Sequence, residues 1–317
     1  MSEIKTVGVV GTGVIGASWT ALFLAHGKHV LVADPAPDAA NTLRAHLESF
    51  WPLVEQIGLS SGASLQNYRF VGASLGEHYG EVDYVQENAP ERLDLKKKLI
   101  AEIDSKTRPE VVIASSSSGI PSSQFVTSCK HPERVLIGHP FHPPHIMPLV
   151  EVVGHPGSSE NAIATAMQFY TSVDKRPIHI MKETPGHAAN RFQAAVMNEA
   201  FSLVSHGVLT ATDVDACITT SLGPRYALMG PFLSNVSGGG GGKDGFRHLL
   251  EHLGPAVQGW LKDMKDKQIS YDAETYDKLS ESVRKEQEIF DIKEVEKQRD
   301  ELLVRLLKDK KTASAIV

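Results

Sequence analysis

A chain of 317 residues exceeds what one hydrophobic core usually serves, so two domains of unequal size are expected. Its 41% hydrophobic and 22% charged residues match ordinary soluble proteins, and no apolar stretch has the length needed to cross a bilayer. With 32 Lys and Arg against 38 Asp and Glu, the net charge of −6 argues against a general nucleic-acid binder, which needs a basic face to displace counterions from phosphates.

Residues 4–10 read as a buried strand, the turn GTGVIG follows, and Ala17 to His26 make an apolar helix that stops at Gly27. Residues 29–33 make a second strand. Strand, turn, helix and strand in this order form a βαβ unit, which implies a parallel sheet with a right-handed crossover. The alternation continues with a helix over 38–57, short strands at 68–71 and 82–85, a charged amphipathic helix over 91–105, and buried strands at 111–115, 135–139 and 149–153. After PIHIM (177–181) the strand signal ends, and helical patterns follow at 188–206, 211–221, 244–253, 255–266, 272–290 and 292–309. Gly254 and Pro255 supply a stop and a restart. The expected fold class is α/β: a Rossmann-type doubly wound, mostly parallel sheet over residues 1–186, followed by an all-helical domain over 187–317. The run SGGGGG (237–242) is expected to form a mobile loop, since consecutive glycines lose much entropy on ordering and pack nothing. A phosphate cradle there lacks the preceding strand.

Cys129 and Cys217 stand far apart and outside any CxxC spacing, which suits a reducing compartment and buried, unreactive thiols. The opening MSEIKTVGVVG runs straight into a strand with no room for a signal peptide, and the ending SAIV is not an SKL-type address, so a cytoplasmic protein is expected.

Gly11, Gly13 and Gly16 sit directly after a strand and at the start of a helix. Gly11 permits the tight turn, Gly13 lets the backbone approach a pyrophosphate, and Gly16 lets the helix pack closely on the sheet. The first helical turn, with Val14 and Ile15, offers N–H groups and a positive partial charge to phosphates. Asp34 ends the second strand, where a carboxylate accepts hydrogen bonds from the adenosine ribose. That carboxylate would repel a 2′-phosphate, and Pro35-Ala36-Pro37 supplies no arginine, so NAD is favoured over NADP. The same fingerprint also serves FAD, less well.

The segment GHPFHPPHIMPLVEVV (138–153) places His139 at the end of a strand and Glu151 within the next. Ligands of open α/β sheets bind beside the carboxyl ends of strands. A hydride leaves a hydroxyl-bearing carbon readily only if the hydroxyl proton leaves too; an imidazole can take it, and a carboxylate on the other ring nitrogen fixes the tautomer. Either residue alone reads more often as a satisfied core group than as a catalytic one. His131, His142 and His145 compete by residue type, and a metal reading lacks an accompanying acid or cysteine at ligand spacing, so no metal is expected.

On these motifs the chain resembles the 3-hydroxyacyl-CoA dehydrogenase superfamily, in which a histidine opens an H-x-F-N-P-like motif and a glutamate follows twelve residues later, as His139 and Glu151 do. The resemblance implies that Ser118, in ASSSSGI, touches substrate and cofactor, and that Asn190, in ETPGHAANR, orients the reacting group. It also brings Glu91 and Lys96, in ERLDLK, toward the cofactor, and it implies a homodimer. Within the superfamily the closer likeness is to the L-gulonate 3-dehydrogenase (lambda-crystallin) branch, through QENAPERLDLKKK (86–98), the segment 139–151 and LGPRYALMGPF (222–232). A free hydroxy acid brings a carboxylate that must be paired once out of water, and Arg225 is a planar fork suited to it. The expected reaction is NAD-dependent oxidation of the 3-hydroxyl of a small hydroxy acid such as L-gulonate, with 3-hydroxyacyl-CoA or carnitine as alternatives. The non-enzymatic alternative is an NAD-binding, crystallin-like structural protein. Two departures stand out: His142 replaces the family's asparagine, which contacts the nicotinamide ribose, and the glycine run is foreign to the branch.

Overall fold

The computed structural model describes residues 3–288 and 290–313. The ending SAIV (314–317), on which the absence of a targeting address was read, lies outside them. No described helix is long and apolar enough to cross a membrane. The chain divides into two compact units, residues 1–191 and 192–317.

The first unit is an α/β layer structure. Its strands are β1 (Thr6–Val10), β2 (His29–Ala33), β3 (Tyr68–Gly72), β4 (Tyr84–Glu87), β5 (Val112–Ser115), β6 (Val135–Pro140), β7 (Leu149–Val153) and β8 (Arg176–Ile180). They form one sheet in the order β3-β2-β1-β4-β5-β6-β7-β8. The pairs are parallel except β6 with β7, which run antiparallel with His139 opposite Glu151. The central strands are Val- and Ile-rich and buried on both faces, as parallel sheets covered by helices require. The covering helices are α1 (Val14–Ala25), α2 (Ala39–Ile57), α3 (Leu93–Lys106), the single turn α4 (Ser122–Phe125) and α5 (Glu160–Ser172).

In α1 every residue from Gly16 to Ala25 is buried, so the helix has no polar face. Trp19 and Phe23 stack with centroids 5.2 Å apart, and Tyr170 of α5 lies 5.5 Å from Trp19. Each such side chain contributes about 1.5–3 kcal/mol when fully buried. Helix α5 had no counterpart in the sequence reading. Its signals are present: the Ser159 side chain accepts a hydrogen bond from Ala162 N–H, and Ala162, Ala166, Phe169 and Tyr170 form one buried stripe. Strand β4 lies two residues later than expected, which brings Glu87 into the sheet.

Helix α6 (Ala189–Ser205) carries the chain into the second unit, which is helical: α7 (Ala211–Thr220), α8 (Leu222–Leu228), α9 (Pro231–Gly238), α10 (Gly245–Asp266), α11 (Ala273–Gln287) and α12 (Ile292–Thr312). Three expectations change here. First, α8 and α9 fall where none was expected. Second, Gly254 and Pro255 do not break the helix: α10 runs through both, because Pro255 removes one N–H donor without ending the amphipathic stripe. Third, the glycine run is a tight corner. Its first residue ends α9, Gly240, Gly241 and Gly242 all take positive φ, and a Cβ on Gly239 would lie 1.8 Å from the Gly245 carbonyl oxygen. The glycines serve the close approach of α9 and α10. Cys217 is exposed rather than buried. Cys129 is half-buried, and burial pushes its thiol up to about 12.

Candidate active site

The glycine turn is built to leave a space. Gly11 has φ of 99°, and a Cβ there would meet the Asn88 carbonyl oxygen at 2.8 Å. Gly16 is needed for a different contact from the one expected. Its Cβ would strike the Gly11 carbonyl oxygen at 1.9 Å, so it closes the turn upon itself rather than seating α1 on the sheet. A Cβ on Gly13 would meet nothing within 4 Å. Gly13 caps α1 without a side-chain hydrogen bond, so the amides of the first turn, at Val14 and Ile15, keep their N–H groups for a ligand. Asp34 shapes the same turn: Oδ2 accepts from Thr12 N at 2.6 Å and Thr12 Oγ1 at 2.8 Å, and Oδ1 accepts from Ala36 N. An open cradle with free amides and a carboxylate beside it fits a dinucleotide whose ribose carries free hydroxyls.

His139 and Glu151 are brought together by the antiparallel pairing of β6 and β7, which turns a separation of twelve residues into direct opposition across the sheet. His139 Nδ1 lies 2.8 Å from Glu151 Oε2, and both side chains are buried. Glu151 Oε1 accepts from the Ala188 and Ala189 amides at 2.8 and 2.9 Å. Burial alone would push the Glu151 carboxyl up, but the hydrogen bonds from His139 and the two amides hold it below the usual range. The carboxylate thus stays ionised and keeps Nδ1 protonated, leaving Nε2 as the basic nitrogen. The backbone beneath is equally constrained: a Cβ on Gly138 would overlap the Tyr170 hydroxyl, which donates to Gln86 at 2.6 Å, while Gln86 Nε2 donates to Gly138 O.

The serine run after β5 is held from below. Ser115 donates to Glu87, Ser116 to Asn88, and Ser117 to Glu91. Glu91 also accepts from the Gly119 and Ile120 amides; burial opposes its charge, and these bonds with Lys96 nearby keep it below the usual range. Lys96 is buried, 3.0 Å from Glu87, and reaches the Ala89 carbonyl. Glu91 and Lys96 therefore brace the loop that presents Ser118. Ser118 is exposed, and its carbonyl accepts from Asn190 Nδ2 at 3.1 Å, which sets Asn190 beside it. Among the residues that sequence reasoning missed, Glu87, Gln86 and Tyr170 had one available signal: polar groups inside otherwise apolar strands or stripes, which need partners. His187, in the segment that bears Asn190, is another.

The four competing histidines separate by environment. His131 faces Glu133 at 3.4 Å and is only partly buried. His145 is buried, with Nδ1 2.7 Å from Ser18 Oγ and its ring stacked on Phe50 at 4.3 Å, an anchor for the β6–β7 connection. Lys175 fastens the same connection through the Pro144 and Met147 carbonyls. His142 is exposed on it. His139 is the one of the four paired with a buried carboxylate. Among the described residues no group of three or more His, Cys, Asp or Glu can hold a metal ion. Arg225 belongs to the second unit, in α8, where it is exposed.

Two family models match in succession: 3-hydroxyacyl-CoA dehydrogenase, NAD binding domain, over residues 6–184, and its C-terminal domain over residues 186–271. The chain belongs to the 3-hydroxyacyl-CoA dehydrogenase family. A relative from Gibberella moniliformis named 3-hydroxyacyl-CoA dehydrogenase is 45% identical over 315 residues, covering 99% of this chain and 97% of its own. The L-carnitine dehydrogenase of Pseudomonas aeruginosa is 41% identical over 307 residues, covering 97% and 94%. The crystal structure of an NAD+-dependent dismutase, 5-formyl-3-hydroxy-2-methylpyridine 4-carboxylic acid 5-dehydrogenase, superposes with a TM-score of 0.78 at 25% identity, covering 98% of this chain and 99% of the other. As a member of the 3-hydroxyacyl-CoA dehydrogenase family the chain is an NAD-dependent oxidoreductase acting on CH–OH, which accords with the cradle and the His139–Glu151 pair.

Proposed function

We propose that this protein oxidises the 3-hydroxyl of a small 3-hydroxy acid with NAD, and that L-carnitine stands first among its substrates. The observation that carries the chemistry is the buried 2.8 Å contact of His139 with a Glu151 carboxylate pinned by two amides. His139 Nε2 takes the hydroxyl proton, and Glu151 stabilises the imidazolium that results. Ser118 and Asn190 orient the substrate oxygen, Glu91 and Lys96 keep Ser118 in place, and Arg225 pairs with the substrate carboxylate. Gly11, Gly13, Val14, Ile15, Gly16 and Asp34 hold the cofactor, with His142 at its nicotinamide end. Bound NAD supplies the hydride acceptor.

The order of substrates reverses the sequence-based one. The L-gulonate branch was favoured on three short stretches, whereas a near full-length relative at 41% identity bears the carnitine name. Carnitine and gulonate both carry the free carboxylate that Arg225 suits. A 3-hydroxyacyl thioester is the second reading, favoured by the name of the relative at 45%. The reading further includes an NAD-binding domain over 1–186, a substrate and dimerisation domain over 187–317, and a cytoplasmic homodimer.

Steady-state kinetics with NAD and each of L-carnitine, L-gulonate, 3-hydroxybutyrate and 3-hydroxybutyryl-CoA test the order. L-carnitine is expected to give the highest kcat/KM, and Arg225→Ala to raise its KM by about 10-fold or more, the effect of losing one charge-assisted pair. A preference for the thioester that Arg225→Ala leaves untouched overturns the free-acid reading. Binding of NAD without reduction by any of the four supports the structural-protein alternative.

A further inference from the structure

His187 stands beside the reacting histidine and touches both halves of the site. It is 3% exposed, and its ring centroid lies 5.2 Å from that of His139. Its Nε2 is 3.0 Å from the Ser117 carbonyl oxygen, an atom that can only accept, so Nε2 carries the proton. Its Nδ1 is enclosed with no hydrogen-bond partner among the described residues. Its φ of 52° lies in the left-handed region, uncommon for a histidine. Immediately after that turn come the Ala188 and Ala189 amides that bind Glu151 Oε1.

We propose that His187 is a positioning residue for the His139–Glu151 pair: its backbone turn sets how much of the Glu151 charge His139 feels, and its ring fixes the Ser117–Ser118 backbone that also holds Asn190. This inference rests on the dehydrogenase reading and deepens it. Two amides on one carboxylate oxygen draw off part of its charge; releasing them strengthens the hold of Glu151 on the imidazolium. The ring meanwhile satisfies the buried Ser117 carbonyl, which ties the serine loop to the segment that bears Asn190. The charged groups facing His187 are His139 on β6, Glu151 on β7 and Glu91 ahead of α3. Burial lowers the affinity of His187 for a second proton; the His139 charge acts in the same direction, and the Ser117 bond and the two carboxylates oppose. A second proton on the His187 ring is therefore disfavoured.

Three variants separate backbone from ring. His187→Met has similar length, no donor and a poor fit to positive φ. His187→Gly accepts the turn but has no ring. His187→Gln places an amide donor near the position of Nε2. In His187→Met the rising limb of kcat/KM against pH should move to higher pH, and kcat should fall about 10-fold, one lost hydrogen bond. His187→Gly should keep the limb where it is yet lose kcat, and His187→Gln, which restores the donor but fits positive φ as poorly as methionine, should recover kcat to within about threefold of the wild type while moving the limb as His187→Met does. Ring NMR of His139 across pH reads the same shift without turnover. If the wild type oxidises no 3-hydroxy acid, the dehydrogenase reading fails, while the NMR titration still decides the role of His187. An unmoved His139 titration in His187→Met overturns the backbone part, and undiminished kcat in His187→Gly overturns the ring's part; should His187→Met not fold, His187→Gly and His187→Gln decide.

Discussion

The His139–Glu151 pair and the glycine turn lie in one unit and are built on opposite plans. Around the pair, both Glu151 oxygens are engaged, the carboxylate is buried, and the glycine below, Gly138, is there because Tyr170 leaves no room for a side chain. Around the turn, the amides of Val14 and Ile15 and the space beside Gly13 are left open. Proton transfer needs atoms held to within a fraction of an ångström, so that region is strand-built and buried. Ligand capture needs unsatisfied donors, so that region is a capless helix start.

Variants that strike one region alone sharpen the contrast. The largest effect is expected from His139→Gln, which removes the proton acceptor: kcat should fall by a factor of about 100 to 10,000, the usual worth of a positioned base, with NAD affinity measured by calorimetry unchanged. A loss of NAD binding of equal size would mean that the two regions are not independent. Gly16→Ala is the converse. Its Cβ would overlap the Gly11 carbonyl, a backbone atom with little room to move, so the turn must open at a cost of roughly 1–3 kcal/mol. The Tm should fall and the Kd for NAD rise, while the titration of His139 stays in place. The smallest effect is in stability against pH. Because the Glu151 carboxyl is held below its usual range, its contribution is complete above the unfolded value of about 4.3 and is lost as pH falls through the lower folded value. The Tm advantage of the wild type over Glu151→Gln should accordingly shrink only below about pH 4.3. An advantage that shrinks between pH 8 and 6 would place the relevant titration elsewhere.

Strand periodicity located all eight strands, and the spacing of glycines after β1 located the turn, since both are local properties of consecutive residues. The position of Glu151 relative to His139 was of another kind. Nothing local distinguishes a parallel from an antiparallel β7, and only the antiparallel register sets the two residues opposite each other. The same limit applies to Lys96, which the resemblance brings toward the cofactor: its ammonium lies 3.0 Å from Glu87 on a neighbouring strand, a partner that no local pattern names. In the second unit, Pro255 reads locally as a break, yet α10 continues through it, and the glycine run reads as slack chain, yet forms the corner where α9 meets α10.

From the order of residues alone came the α/β alternation, the NAD-type glycine turn and the acid–base residue types, because each depends on side chains close together along the chain. The tertiary structure decided which histidine has a buried carboxylate, what braces the serine loop, and that His187 stands between them. Those outcomes depend on strand direction and on hydrogen-bond partners dozens of residues away, which no local pattern encodes.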